Sequence, residues 1–513
     1  MSQASTVSVD ERLPAPPSDS EQSIYIHRDV ALLVTTSLIS VGALFLTQVK
    51  FLRASHWLVL LAPVLLFTAV YYLISLRINI TSRNFDYDEH RDLIKTWVPE
   101  RFPSVDILLP ICNESIAVLR NTWVHVSALV ERYPGPVKVY VLDDGASDDA
   151  SAAARSFGFE YHVRPNRGEL KKAGNLKYGF NISSGEHLLI LDADFAPRTD
   201  FLLQTLPYFD AYPDLGIVQT PQFFRTLPVQ TFMERGAGAV QELFYRVVQV
   251  SRDRQRAAIC VGSCAVYRRA ALDAIGGTTQ IEHSEDVHTG FDLGAAGWAL
   301  KYLPIPMATG LCPGDPDSFL TQQYRWCAGS MSLLSSSKFR ARSMPLTSRM
   351  CYVSGFCYYL HTALFTVVAP LIPLVLLIGL PGQVRIANYL LILPSTIYNL
   401  VVFPLWHRCR YGPSALVARY LYGWAHLFAI WDIVRRRPIG WVPTGSGGAR
   451  TKTARMWRAL TIWGTFTSAA WVGTSLYRMV TYSSVNFVFL LLTGLLYSTI
   501  VGLALWSRRS ESA

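Results

Sequence analysis

The chain has 513 residues, 50% of them hydrophobic and only 16% charged, a balance more apolar than soluble domains show and one that points to a membrane part. The formal charge of +10 is concentrated in Arg435, Arg436, Arg437, Arg450, Lys452, Arg455 and Arg458 between apolar segments, which fits the positive-inside rule and argues against a nucleic-acid partner. Eight cysteines without a C-x-x-C pair or a Cys/His spacing argue against a disulfide framework and against a structural zinc site.

Residues 1–28 are rich in Ser, Pro and acids and lack the basic and apolar regions of a signal peptide, so they are predicted to be a disordered tail. Segments 31–46 with their flanks and 57–78 reach the roughly 20 apolar residues a bilayer crossing needs, predicting a transmembrane hairpin over 29–79. From 80 to 344 short β-branched runs alternate with polar helical stretches, the rhythm of a parallel α/β domain. Segments 352–380 and 386–406 predict two spans within 345–410, and 456–479 and 485–506 two more within 456–506, ahead of a short tail at 507–513. The total of about six is even, which leaves both termini beside the α/β unit on the cytosolic face of the plasma (inner) membrane. Pro370 and Pro373 predict a kink in the third span. Within the basic stretch 411–455, residues 415–434 are apolar but interrupted by Arg419, His426 and Asp432, and read as an interfacial helix. No internal repeat of the kind many transporters carry is present.

The chemistry-bearing motifs fall at predicted strand ends. The run from Val105 ends in Asn113-Glu114 ahead of a helix starting near Ser115, and strand ends of this kind hold ligands in open α/β sheets. Strand 137–142 ends in Asp143-Asp144-Gly145, whose acids suit a ribose or uracil and equally suit a tight turn. Lys171-Lys172-Ala173-Gly174-Asn175 adds cations for phosphate, with Gly174 allowing close backbone approach. Strand 187–191 ends in Asp192-Ala193-Asp194, two carboxylates suited to a Mg²⁺ or Mn²⁺ ion that bridges to a diphosphate. His283-Ser284-Glu285-Asp286 offers a carboxylate as general base, or a helix cap at Ser284 with acids in the first turn. Gln322-Gln323-Tyr324-Arg325-Trp326 joins an amide for hydroxyls, a guanidinium for diphosphate and an indole for a sugar face, and an amphipathic interfacial helix would have the same composition.

In this order, together with Gln219-Thr220-Pro221-Gln222-Phe223-Phe224 and Gly262-Ser263-Cys264, these motifs resemble the processive family 2 glycosyltransferases, cellulose synthases above all, with hyaluronan, chitin and curdlan synthases sharing much of the set. The resemblance covers about 105–339 closely and the flanking helices loosely. It implies a GT-A (Rossmann-like) domain inserted in a helical transmembrane bundle. It also implies that Glu114 and Asp144 hold the uridine, Asp192 and Asp194 the nucleotide and a Mg²⁺ or Mn²⁺ ion, and Lys172 and Arg325 the diphosphate. Asp286 is then the base, Gln322 and Trp326 bind the acceptor end, and Gly262, Ser263 and Cys264 precede a finger helix that touches the polymer. Ser284 replaces the usual Thr, which keeps the base, and the gating segment corresponds loosely to 441–445, with Trp441 and Thr444. No cyclic-dinucleotide-binding domain is expected after the last span. The implied activity is processive, inverting polymerisation of UDP-glucose into a β-glucan passed across the membrane. A UDP-N-acetylhexosamine polymer, a nonprocessive transfer to a lipid-linked acceptor and a transporter without chemistry are the rival readings. The linkage and any periplasmic or cell-surface partner stay open.

Overall fold

The computed structural model describes residues 12–27, 29–80, 84–436 and 449–510. Helices α1 (Val30–Leu52) and α2 (Ala62–Ile80) form the expected hairpin and contact each other. Between them and the C-terminal helices lies a seven-stranded sheet built from β1 (Val105–Ile111), β2 (Val137–Asp143), β3 (Glu160–His162), β4 (His187–Ile190), β6 (Leu215–Gln219), β7 (Ala265–Arg268) and β8 (Ala299–Tyr302), in the order β3-β2-β1-β4-β7-β6-β8. A small pair, β5 (Ala196–Pro197) and β9 (Ala308–Thr309), stands apart. Helix α3 (Ile116–Arg132), begun by Ser115 capping Val118, and α4 (Lys171–Ile182) cover the sheet. Every residue of β1 and β4 is buried, and apart from Asp106 and His187 their runs are apolar rather than alternating, as strands covered on both faces require.

This is the Rossmann-like GT-A architecture that the resemblance implies, with one correction to the expectation of an all-parallel sheet. β7 runs antiparallel to both neighbours, pairing Ile190 with Ala265 and Gln219 with Ala265. Between β6 and β7 the chain makes a long excursion through α5 (Phe232–Leu243) and the helical turns up to Asp253, and it returns from the carboxyl side of the sheet. Hydrophobic periodicity carries no strand direction, so the reversal is invisible in the pattern. Its consequence is local: the loop just before β7, Gly262–Cys264, lies beside the end of β4.

The helices after the sheet are α6 (Glu285–Ala295), α7 (Pro316–Ser335), α8 (Leu346–Val368), α9 (Leu371–Gly379), α10 (Pro413–Val434), α11 (Ala449–Thr481) and α12 (Ser484–Ser510). Among the described residues, four helices are long and apolar enough to cross a membrane: 30–52, 58–79, 346–379 and 484–510. The third is interrupted at Ala369 and Pro370, where the prolines were expected to act. Segment 386–406 does not form one spanning helix; a turn at 390–392 interrupts it, and the helical run 393–406 that follows contains a wide π turn at Tyr398–Val402. Segment 456–479 lies inside α11, where Arg458 and a series of Thr, Ser and Gly residues dilute the apolar face. Helix α10 packs against α5, α7, α8 and α12, burying Leu421, Trp424, His426 and Asp432 while Trp431 stays exposed.

Within the stretch expected to be a disordered tail, residues 12–27 make specific contacts. A turn at Asp19–Gln22, closed by a capping box between Ser18 and Glu21, lies on the α/β unit, and Tyr25 and Ile26 are buried in it. Acids that look solvated in sequence meet arginines far along the chain, Asp19 with Arg198 and Glu21 with Arg225.

Candidate active site

The carboxyl ends of β1, β2 and β4 converge on one edge, and each loop is shaped by its own polar residues. After β1, Asn113 adopts a left-handed conformation and Glu114 accepts the Cys112 N–H at 2.5 Å. Burial raises the Glu114 carboxyl above its usual range, and Asp192 and Asp143 add to the effect. After β2 the acids divide the work. Asp143 accepts N–H bonds from Gly145 (2.6 Å) and Ser147 (2.9 Å) and the Tyr161 hydroxyl (2.7 Å), so it is turn chemistry. Asp144 receives a two-pronged bond from Arg164, both contacts at 2.7 Å and both side chains nearly buried.

Beyond β4 lies the densest group of charges. Lys172, in the first turn of α4, donates to Asp192 and to the Gly262 carbonyl (2.8 Å). Burial works against its ammonium, but Asp192, Glu285 and Asp286 outweigh that and hold it charged. Asp194 is half-buried, and its carboxyl is pushed up to about 7 by desolvation and by the negative charges of Asp192 and Glu114, with the Leu311 N–H (3.2 Å) as a bond donor. Ser263 accepts the Asp192 N–H at 2.9 Å, which fixes the backbone of the acid.

Asp286 comes from the start of α6. Its carboxyl is also raised to about 7, by burial first and the neighbouring Glu285 second, with Lys172 opposing. A methyl group at Gly262 would stand 2.8 Å from its Oδ2, so only glycine lets the loop before β7 lie against the acid, and its φ of 74° suits the same residue. Ser284 makes no capping bond and is left-handed; the N–H of Val287 is met by Asp286 itself at 2.8 Å. The opposite wall is α7. Gln322, Arg325 and Trp326, all half-buried, recur at helical spacing on one face with the buried Gly329, while Gln323, Tyr324 and Cys327 face the core. A side chain at Gly329 would overlap Ser284, so this glycine sets α7 directly against the turn that carries Asp286. Burial lowers the Arg325 guanidinium to about 10, while Glu285 and Asp192 support its charge. Gln322 Oε1 is buried without a hydrogen-bond partner among the described residues.

The structure therefore brings Glu114, Lys172, Asp192, Asp194, Gly262, Asp286 and Arg325 to one edge, with Gln322 and Trp326 on the adjoining helix face. Ser263 and Cys264 are completely buried and lead into β7 rather than a helix, so they shape the loop and present no side chain to an acceptor. Gly174 makes room for Arg164 and the Glu169 carbonyl rather than for phosphate. Trp441 and Thr444 lie outside the described residues. Sequence reasoning missed Arg164, which follows β3 and has no motif of its own, and Gly329, whose signal was its place one turn after Arg325. It also missed Asp317 and Asp432. The first accepts bonds from Thr453 and Trp457 (2.7 Å) and the second from Tyr324 (2.9 Å) and Arg455, tying α7 to α10 and α11.

No group of three or more His, Cys, Asp or Glu side chains suited to a metal is present among the described residues. Asp192 and Asp194 nonetheless supply the one or two carboxylates that a hydrated Mg²⁺-type ion takes together with phosphate oxygens. The mutual repulsion that raises Asp194 is what such a cation relieves, so the donor set fits.

Residues 187–407 match the family described as "Glycosyl transferase family group 2". Over 266 residues, 51% of the chain, the sequence is 34% identical to cellulose synthase 1 of Komagataeibacter xylinus, covering 17% of that protein. It is 32% identical over 267 residues to the UDP-forming cellulose synthase catalytic subunit of Pseudomonas fluorescens, 51% of this chain and 36% of that one. The chain thus spans well under half the length of these relatives. Among solved structures, a mannosyltransferase from Pyrobaculum calidifontis in complex with GDP-Man and Mn²⁺ is similar at a TM-score of 0.49 and 17% identity, over 72% of this chain and 99% of that one.

Proposed function

We propose that residues 187–407, which match a glycosyltransferase family, belong to a membrane-embedded, inverting, processive transferase that polymerises UDP-glucose into a β-glucan and passes it through its own helices. The observation that carries this reading is the meeting of Asp286, Lys172 and Arg325 at one sheet edge, beside a helix face bearing Gln322 and Trp326. Arg325 and Lys172 would receive the diphosphate, because each is a cation in a partly buried site where its charge acts more strongly than in bulk water. Asp192 and Asp194 would hold a divalent ion, which supplies Lewis-acid stabilisation of the leaving diphosphate when bound. Asp286 takes the proton from the acceptor hydroxyl as that oxygen attacks the anomeric carbon from the face opposite the leaving group, so an α-linked donor gives a β-linked product. Trp326 offers its ring to the acceptor sugar, and the unpartnered Gln322 oxygen accepts from a sugar hydroxyl.

The donor is the finer part of the reading, and likeness to proteins described as UDP-forming cellulose synthases supports UDP-glucose. Protein in washed membranes, given Mg²⁺ or Mn²⁺ and labelled UDP-glucose, is expected to release UDP and form a polymer that linkage-specific glucanases digest. Label incorporated only from UDP-N-acetylglucosamine would move the assignment to the hexosamine polymers, and UDP release with a single sugar transferred to lipid would overturn processivity. Asp286→Asn is expected to lower turnover by about 10²–10⁴-fold while UDP still binds in a titration. Loss of UDP binding in that variant would contradict the base role.

A further inference from the structure

Residues 12–27 lie outside the part of the chain that matches the family, yet they hold on to the residues behind the site. Arg225, which directly follows the Gln219–Phe224 segment, has its guanidinium taken up by this stretch: Glu21 accepts two bonds (2.8 and 2.7 Å), the Ala15 carbonyl one (2.7 Å) and the Pro16 carbonyl one (2.9 Å). Glu21 is about three-quarters covered, and although burial opposes its charge, the Arg225 bond keeps the carboxyl below its usual range. Arg198, just past β5, reaches the Pro17 carbonyl (2.7 Å) and Asp19 (2.8 Å), and Asn121 on α3 donates to the Pro14 carbonyl at 2.8 Å. Tyr25 is buried with its ring edge on Phe223, 5.8 Å between centroids.

The segment gripped in this way is bonded residue by residue to the loop that touches Asp286. Gln222 donates to the Val261 carbonyl (3.2 Å), Gln219 accepts from the Val261 N–H (3.1 Å) and donates to the Ser263 carbonyl (2.8 Å), and the Thr220 N–H reaches the Cys264 carbonyl (3.0 Å). Gly262, in the middle of that loop, is the residue packed on the Asp286 carboxylate and the one whose carbonyl receives Lys172. At its other end the stretch continues through the His27 carbonyl and Asp29, both bonded to Arg246, directly into α1.

We infer that residues 12–27 form a strap that positions Asp286 for the transfer, with Glu21, Tyr25 and Arg225 as its positioning residues; the inference rests on the transferase reading above. Among the described residues the side-chain hydrogen bonds and ion pairs of Asp144 and Arg164 go to each other and to the Glu169 and Lys171 carbonyls rather than to the strap, so loss of the strap acts on turnover and leaves the nucleoside end of the donor site alone. A displacement of about 1 Å at a reacting group costs on the order of a hundredfold in rate, which sets the scale of the effect.

The test uses the full chain in membranes. Glu21→Ala is expected to lower turnover about ten- to a hundredfold with the KM for the UDP-sugar and the affinity for UDP unchanged. Glu21→Gln, which still accepts a bond from Arg225, is expected to keep most of the activity. Hydrogen–deuterium exchange of the same proteins supplies a readout independent of catalysis: amides at 219–225 and 260–263 exchange faster in Glu21→Ala, and those at 137–145 do not. Unchanged exchange at 260–263, or a fall in turnover matched by lost UDP binding, overturns the strap. A wild-type protein that releases no UDP overturns the transferase reading instead, and the exchange data then judge the strap alone.

Discussion

Asp286 and Arg325 show how burial tunes one site in two directions. The Asp286 carboxyl, raised to about 7 by burial and by Glu285, is half protonated near neutral pH. Only its ionised form accepts a proton, so turnover is expected to rise with pH through about 7 and level off above it, and the limb should vanish from any residual activity of Asp286→Asn. The same shift bears on stability with a definite sign. A carboxyl whose folded pKa lies above the ordinary value of about 4 favours the fold in its protonated form; that contribution is complete below pH 4 and is lost as pH rises through about 7. Asp286→Asn is therefore expected to melt above the wild type at pH 8, with the gap closing towards pH 5. A variant that melts lower at pH 8 would show the buried charge to be better paired than its surroundings imply. Arg325, lowered only to about 10, stays cationic at working pH, and Arg325→Ala is expected to lose about 10²–10³-fold in turnover. Arg325→Lys should recover only part, because an ammonium cannot form the planar fork.

Secondary-structure elements reached the site by routes of unequal visibility in the sequence. The ends of β1, β2 and β4 were legible because each is an apolar run stopping at acids, and the face of α7 was legible because Gln322, Arg325 and Trp326 obey helical spacing. The reversal of β7 was not, since alternation and length are the same in either direction, and with it went the reason Gly262 meets Asp286. Arg164 was equally silent, a single arginine whose partner Asp144 stands twenty residues earlier in the chain. The contact between α7 and the start of α6 rests on Gly329 and makes an element-scale prediction. Gly329→Ala forces a methyl group into Ser284, and overpacking of this kind costs about 1–3 kcal/mol, so a lowered melting temperature and reduced turnover are expected together. Ser284→Gly removes the obstructing side chain and suits the positive φ of 53°, so the double variant should regain both. Failure of the double variant to recover turnover would mean that Ser284 has a task beyond packing.

Across the whole molecule, the catalytic unit and the helical bundle are joined by buried polar contacts rather than by a linker. Asp317 on α7 receives Thr453 and Trp457 of α11, Asp432 on α10 receives Tyr324 of α7 and Arg455 of α11, and Arg246 ties Asp29 ahead of α1 to the Trp406 carbonyl. Such a body has few ways to sit in a bilayer. The α1–α2 hairpin is long and apolar enough to cross twice, which would return the chain to its starting side before the sheet begins. Helices 346–379 and 484–510 would add two crossings, and the sum would stay even if 386–406 and α11 crossed as a pair. The prediction for the two ends is the same whether four or six segments span, since the strap, the sheet and Arg508–Arg509 then share one face; when 386–406 and α11 also cross, the basic residues after α10 join that face and mark it as cytosolic. Single-cysteine reporters at Ser20 and Ser510, placed in a background without the native cysteines, should react with a membrane-impermeant maleimide only in inside-out vesicles. Labelling of the two sites from opposite sides would require an odd number of crossings. It would separate the strap from the C-terminal end of α12 by a bilayer and overturn the even count.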